Sequence, residues 1–455
     1  MNDSLRNMAG GGQTTPHHSP KFFGASLAVG LTIAACLVPA AAIAQTSEMQ
    51  LPSLRQDRGL RSGDFLLVPS ISLSGHHDTN VFNGNEEENG NDPVSATSLR
   101  FAPKLGLTNG VEAETQFNFD ATGDIRIYVS DDAALTNLNN IGGVAALSVS
   151  FAARRAISFT VFDTFSRDLR ANNWETLQTL NRNANNIGAR VSFHPGDIPS
   201  RRPFELTLAG SYAVDRFSEY RLGDTDTIKT KLAAAWRFLP KTAAILDATW
   251  DFRSYANANT LQLTADSKAW RVQAGLVGAL TKLVTLRVTG GWGMSLHDER
   301  DSFNGFVAAV GLGYKASQST LLHLQYTHDF ADAFYGNYVE FHRGTLKLSQ
   351  RFGQILDVTA HGGFGYGVYG LYNPVETGAT GLPVFGSISQ ANRKDYTLDA
   401  GLDANFELAR LVSVQVGYRV RGVFTSFKVT AVDASVLDVG AYTAHEIQAG
   451  VTLRY

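Results

Sequence analysis

The chain holds a single cysteine, Cys36, among 455 residues, so neither a disulfide framework nor a thiolate metal site can organise it. Charge is also sparse: 18% of residues are charged and the formal net charge is −3, which excludes a basic nucleic-acid surface. With 44% apolar residues the chain is not of disordered composition either. Beyond the N-terminal region no apolar run reaches the length of a membrane-spanning helix. A mean hydropathy of −0.09 still fits a membrane protein of another kind, one whose residues alternate between lipid and water.

What is present begins with an apolar stretch from Phe22 to Ala44 that follows Lys21 and ends in Ala42-Ile43-Ala44, a small-x-small cleavage signal before Gln45. Residues 1–44 therefore read as a secretory signal peptide cut after Ala44, with Met8 as an alternative start. Ile33-Ala34-Ala35-Cys36 loosely resembles a lipoprotein box, but an apolar segment, not a polar tether, follows the cysteine. Without this leader the chain has no cysteine. Residues 45–64 form a short polar periplasmic lead, and residues 65–455 a single outer-membrane domain.

From Phe65 onward the residues alternate with period two. In the segment from Leu411 to Val423, Val412, Val414, Val416, Tyr418 and Val420 fall on one face, and Ser413, Gln415, Arg419 and Arg421 on the other. Residues 394–406, 111–129 and 242–253 repeat the pattern, each with one apolar face and one charged face. Such strands are dry on one side and wet on the other. Runs of about ten or more residues match a tilted membrane crossing better than an ordinary globular strand.

The connections alternate too. Tight turns occur at Asn109-Gly110, Leu239-Pro240-Lys241, Thr281-Lys282, Ser317-Gln318, Gly353 and Ala409-Arg410, with longer polar loops between them. Short turns on one side and long loops on the other define an all-β, up-and-down antiparallel transmembrane barrel of about 18 strands (range about 16–18), with short turns and both termini on the periplasmic side. The last strand ends with Gln448, Gly450, Leu453 and Tyr455, a spacing that resembles the terminal signal read by the outer-membrane assembly machinery.

Backbone groups in hydrocarbon need internal partners, so the sheet must close, and a ring of this size leaves an aqueous lumen. Parity assigns the lining. The expected cations are Lys229, Lys231, Arg237, Arg271 and Arg287, followed by Arg343, Lys347, Arg351, Arg419 and Arg421. The expected anions are Glu112, Glu114, Asp120 and Asp124, then Asp247 and Asp251, then Asp395, Asp399 and Asp403. Cations cluster in predicted strands eight to fourteen and seventeen, anions in three and sixteen, which suggests opposed charged ladders and a transverse field. The plainer alternative is that each charge is a solvated residue paired with its cross-strand neighbour. Trp236, Trp250, Trp270, Trp292, Tyr418 and Tyr455 take the lipid face, as interfacial girdles.

Other constellations are weaker. Gly365, Gly367 and Gly370 spell a nucleotide loop, but inside an aromatic strand with no following helix. His323, His361 and Asp357 lie on non-adjacent strands and lack ligand spacing, so no metal site and no cofactor is expected. Ser413 and His445 could imitate a lipid hydrolase, except that parity turns Ser413 inward. The loop from Asp78 to Asp92, with Glu86, Glu87 and Glu88, is acidic enough to bridge lipopolysaccharide cations but lacks calcium-loop spacing.

The stretch Arg58-Gly59-Leu60-Arg61-Ser62-Gly63-Asp64-Phe65, with Pro69-Ser70 and Asp78-Thr79-Asn80-Val81-Phe82, resembles the opening segment of the β-barrel porin 2 family over about 25 residues. Many proteins of that family belong to exopolysaccharide secretion systems. The resemblance implies a non-enzymatic barrel that passes exopolysaccharide, or assists its passage, across the outer membrane of a Gram-negative cell. Its partners would be outer-membrane lipid and lipopolysaccharide, the assembly machinery and a periplasmic polysaccharide export protein, with no nucleic acid. The alternatives are a diffusion porin for small solutes and a lipid-modifying enzyme. An inward-folded loop would favour the porin, and residues 370–393 are the candidate for it.

Overall fold

The computed structural model describes residues 59–85, 92–110, 113–171, 180–196, 202–218, 223–256, 266–297, 302–333, 337–370, 376–377, 383–384, 393–425, 428–430, 436–438 and 441–455. The expected signal peptide and most of the lead lie outside these residues.

The period-two segments form long strands. They are β1 (Phe65–Asp78), β2 (Ala96–Asn109), β3 (Gln116–Tyr128), β4 (Asn140–Phe151), β5 (Ile157–Ala171) and β6 (Leu180–Phe193). β7 (Phe204–Phe217), β8 (Thr225–Leu239), β9 (Thr242–Tyr255), β10 (Ser267–Ala279), β11 (Val284–His297) and β12 (Phe303–Lys315) follow. The series ends with β13 (Thr320–Asp332), β14 (Tyr338–Phe352), β15 (Leu356–Tyr369), β16 (Lys394–Ala409), β17 (Val412–Thr425) and β18 (Tyr442–Arg454). Each pairs antiparallel with its sequence neighbours, and β18 pairs with β1 from Ser70↔Arg454 to Asp78↔Glu446. The sheet is therefore a closed barrel of 18 strands without a free edge, as hydrocarbon demands. A short lead strand, Leu60–Ser62, lies against the start of β1.

The two faces separate as the alternation requires. Leu346 and Leu348 of β14 are 47% and 41% exposed on the outer wall, while Lys347 between them pairs inward with His323 and His361. The outer wall carries aromatic clusters at the short-turn end, such as Phe65 with Phe117 and Trp236 with Phe238. Trp250, Trp270 and Trp292 lie nearer the long loops, with Trp250 opposite Trp270 in register. These two bands are the interfacial girdles of a membrane barrel.

One of the short-side turns is longer than the sequence suggests. Asn109 does not enter a two-residue turn: its Nδ2 donates to the Thr115 carbonyl at 2.7 Å, and its Oδ1 accepts from the Phe117 N–H at 2.7 Å. The side chain thus bridges a wider turn, and β3 begins at Gln116 and not at residue 111. Elsewhere the short turns hold. Gly353, at φ 61°, supplies the left-handed position between β14 and β15 that a residue with a Cβ adopts only at a cost.

Arginine placed at Leu402, outward on β16 between Ala360 and Tyr418, is expected to destabilise the folded barrel by about 2–4 kcal/mol. Arginine at the inward Thr359 of β15, opposite Asp403, is expected to be tolerated. Urea unfolding in liposomes measures both, and equal effects would contradict the assignment of faces.

Candidate functional site

Eighteen strands spaced by about 4.8 Å and tilted by about 40° enclose a ring about 35 Å across, wider than the side chains of its own wall can fill. Function is therefore sought on the inner wall and at its mouths.

The strand register places Lys229, Lys231 and Arg237 of β8, Asp247 and Asp251 of β9, Arg271 of β10 and Arg287 of β11 on the inward face. On the same face are Arg343, Lys347 and Arg351 of β14, Asp395, Asp399 and Asp403 of β16, Arg419 and Arg421 of β17, and Asp120 and Asp124 of β3. Glu114 is not on the wall. It sits in the turn before β3, highly exposed, and binds Arg155 of the next turn at 2.6 Å. The longer turn made by Asn109 is the reason, and Glu112 lies outside the described residues.

Among the described residues the opposed ladders do not form. Cations and anions interleave, because register brings the strands' opposite charges side by side. Arg100 binds Asp124 at 2.6 Å, with Arg126 on the other carboxylate oxygen at 3.5 Å. Lys231 and Arg287 share Asp247 at 3.6 and 3.5 Å, Arg351 holds Asp357 at 2.8 Å, and Arg421 reaches Asp78 at 2.8 Å. Arg419 and His361 converge on Asp399, and Gln448 hydrogen-bonds Asp403 at 3.2 Å. These pairs neutralise most of the wall locally. Two residues of β14 depart from this pattern: the register partners of Lys347 are two histidines, those of Arg343 are Thr327 and Gly365, and Lys347 makes no ion pair among the described residues. Lys104 of β2 likewise has none, but the equally unpaired carboxylate Asp120 stands close by on β3.

The mouth at the long-loop end is narrowed from the wall itself. Pairing of β12 with β13 stops at Ala308↔His328, five residues short of the start of β12 at Phe303, while β13 and β14 stay paired to Asp332↔Tyr338. The freed end of this hairpin turns inward. Phe330 stacks on the inward Phe303 with ring centroids 4.3 Å apart, and Val307 beneath them is fully buried. Arg271 of β10 donates to Asp329 at 2.8 Å and lays its guanidinium 4.0 Å from the Phe330 ring centroid. Arg253 of β9 donates to Asp332 at 2.8 Å, Ser267 donates to the same carboxylate, and Ser295 adds a bond at 3.2 Å. On an undistorted wall β9 and β13 would stand about 19 Å apart, too far for an arginine and an aspartate to meet. The hairpin end must therefore lie across β10–β12, inside the mouth.

A second inward fold follows β1. Asn80 accepts from the Gly84 N–H at 2.7 Å and donates to the carbonyls of Gly84 and Thr443 at 2.8 and 3.1 Å. This knot presses Val81 onto Ala96, Tyr128 and Leu135, where it is fully buried. The Asp78–Phe82 motif is thus a packing device. Asp78 is engaged by Arg421 and the Asn80 N–H, and Glu86, Glu87 and Glu88 lie outside the described residues.

The buried inward aromatics Tyr128, Phe303, Phe330, Tyr369 and Tyr442 all stand at the long-loop ends of their strands. Phe162 lies below them, but they form no track down the wall. Ser413 faces inward, paired with Thr452, while His445 faces outward and hydrogen-bonds Tyr418 at 2.8 Å. The two are on opposite faces and cannot act as nucleophile and base. His323 and His361 flank Lys347, and Asp357 is held by Arg351, so no metal set forms there. Gly365 and Gly367 lie within β15. In the terminal strand Gln448 and Gly450 face inward, Leu453 and Tyr455 outward.

Sequence reasoning put Arg253 on the charged face of residues 242–253 but not among the lining residues, and it missed Asp329 and Asp332. Parity alone would place Asp329 inward. Asp332 has the opposite parity, and nothing in the sequence marks the inward turn that brings it into the lumen.

The chain is a transmembrane β-barrel of the outer-membrane type: closed, 18-stranded, apolar outside and charged within. No family model and no curated protein matches it. Among solved structures it is similar to the outer membrane protein OpdK from Pseudomonas aeruginosa, at 10% identity and a TM-score of 0.47, covering 86% of this chain and 99% of that one. It is similar to OccAB3 from Acinetobacter baumannii, at 11% identity and 0.47, over 86% and 99% of the two chains. A third is OccK2 (OpdF) from Pseudomonas aeruginosa, solved with glucuronate, at 8% and 0.47 over 85% and 98%.

Proposed function

We propose that the protein is a passive channel that lets small hydrophilic solutes, anions above neutral or cationic ones, diffuse across the outer membrane. The observation that carries this reading is the end of the β13–β14 hairpin, tied into the mouth by Arg253–Asp332 and Arg271–Asp329. A pinned constriction selects by size. Passage of a polymer, the expectation raised by the opening-segment resemblance, calls for an unobstructed bore and stacking surfaces along it. Here the buried inward aromatics are spent on packing at the mouth. The sign of the preference rests on β14, where Lys347 stands between two histidines and Arg343 has threonine and glycine in register, with Asp399 the carboxylate facing it from β16.

Reconstitution in planar bilayers tests the proposal. Discrete conductance steps are expected, with a reversal potential in a salt gradient that reports anions as the preferred carriers. A barrel that inserts but stays silent would reject it.

A further inference from the structure

Charged groups on a lipid-facing wall are costly, so a cluster of titratable groups there is informative. On the outward face of β13 and β14, His328 and His342 sit opposite each other in register, their rings parallel within 8° and 4.2 Å apart. Glu340, two residues before His342 on the same face, has Oε1 2.8 Å from His328 Nε2. One ligand atom from each of the three residues can be chosen so that all lie within 4.8 Å of one another. All three are partly exposed.

We infer that His328, Glu340 and His342 form a binding site for a divalent transition-metal ion of the zinc class on the outer wall. Two imidazoles and one carboxylate suit zinc, copper or nickel, whereas calcium and magnesium select all-oxygen shells. Ligand atoms around one such ion stand about 3–3.5 Å apart, given bonds of about 2.0–2.2 Å. The cluster reaches that spacing by small rotations about His χ2, which is a soft torsion. Tyr326, next on the same face of β13, places its hydroxyl 2.8 Å from His342 Nδ1. With Nδ1–H donating to that oxygen, Nε2 carries the lone pair for the ion, as outer partners of metal-bound histidines commonly arrange. His342, Tyr366 and Tyr396 continue as a row of rings across β14–β16, with centroids 6.2 and 5.1 Å apart, which places the cluster in the outer aromatic girdle, within reach of water. The ligands stand on both stems of the hairpin whose end narrows the mouth, so a bound ion would clasp its base.

The test uses the folded barrel, purified in detergent without a histidine tag and titrated calorimetrically with zinc chloride. One equivalent is expected to bind. His328→Ala and His342→Ala should each weaken binding by more than about a hundredfold, since loss of an outer partner alone costs about 10–100-fold. Tyr326→Phe should fall within that smaller range, and His361→Ala should bind as the unaltered protein does. Absence of zinc binding, or unaltered affinity in His328→Ala, would overturn the site. Copper(II) bound to the unaltered barrel supplies a reading independent of any variant's folding. Its paramagnetic resonance spectrum should show two coordinated nitrogens, and an all-oxygen spectrum would overturn the assignment.

Discussion

Replacing Arg343 and Lys347 together by glutamate is expected to turn the channel from anion-preferring to cation-preferring. The two substitutions change the local charge by four units on a stretch of wall where neither side chain has a carboxylate in register. A unit charge about 4 Å from an ion in water-like surroundings is worth about 1 kcal/mol. At lumen distances, and with a Debye length of about 10 Å at 0.1 M salt, a tenfold or so shift in the cation-to-anion permeability ratio should survive. The reversal potential across a salt gradient measures it and should change sign. The same exchange at Arg351 is expected to do less, because Asp357 already neutralises that position. A reversal potential indifferent to the β14 pair would mean that solutes do not pass along this wall.

Asp332→Ala is expected to open the mouth. Its carboxylate gathers Arg253, Ser267 and Ser295 from three strands, and its side chain is only 8% exposed. Removing one partner of a buried ion pair costs about 3–5 kcal/mol, because the other charge is left uncompensated. That is enough to release a hairpin end held otherwise by Arg271 and the Phe303–Phe330 stack. Single-channel conductance should rise and become noisy, while the barrel still migrates as a folded species on unheated gels. Asp332→Asn, whose amide oxygen can still accept from Arg253 and Ser267 but which loses the charge, should fall between. Unchanged conductance in Asp332→Ala would place the limiting constriction elsewhere.

Much of the architecture was legible from period-two alternation, since a strand has only two faces and a membrane tolerates only one assignment of them. Leu346, Lys347 and Leu348 declare the wall of β14 by themselves. The contrast of tight turns and long loops then set the order and direction of the strands. What stayed hidden depends on register and on departures from regularity. The pairing of Arg419 with Asp399, or of Arg421 with Asp78, depends on how far each strand is shifted against the next, and Asn109 shows one side chain changing a turn and moving Glu114 off the wall. The inward turn at Asp329–Phe330 is hidden for the same reason: parity is a local rule, and once the strand parts from its neighbour it no longer predicts where Asp332 points. The mouth therefore could not be foreseen, although the wall could.

Swelling of proteoliposomes in isotonic solutes of graded size tests the proposed channel most directly. Monosaccharide-sized solutes should enter, a sugar acid faster than the neutral sugar of equal size, and a dextran should be excluded. Entry of dextran, or no swelling with any solute by a barrel shown to be folded, would contradict a pinned, anion-preferring mouth.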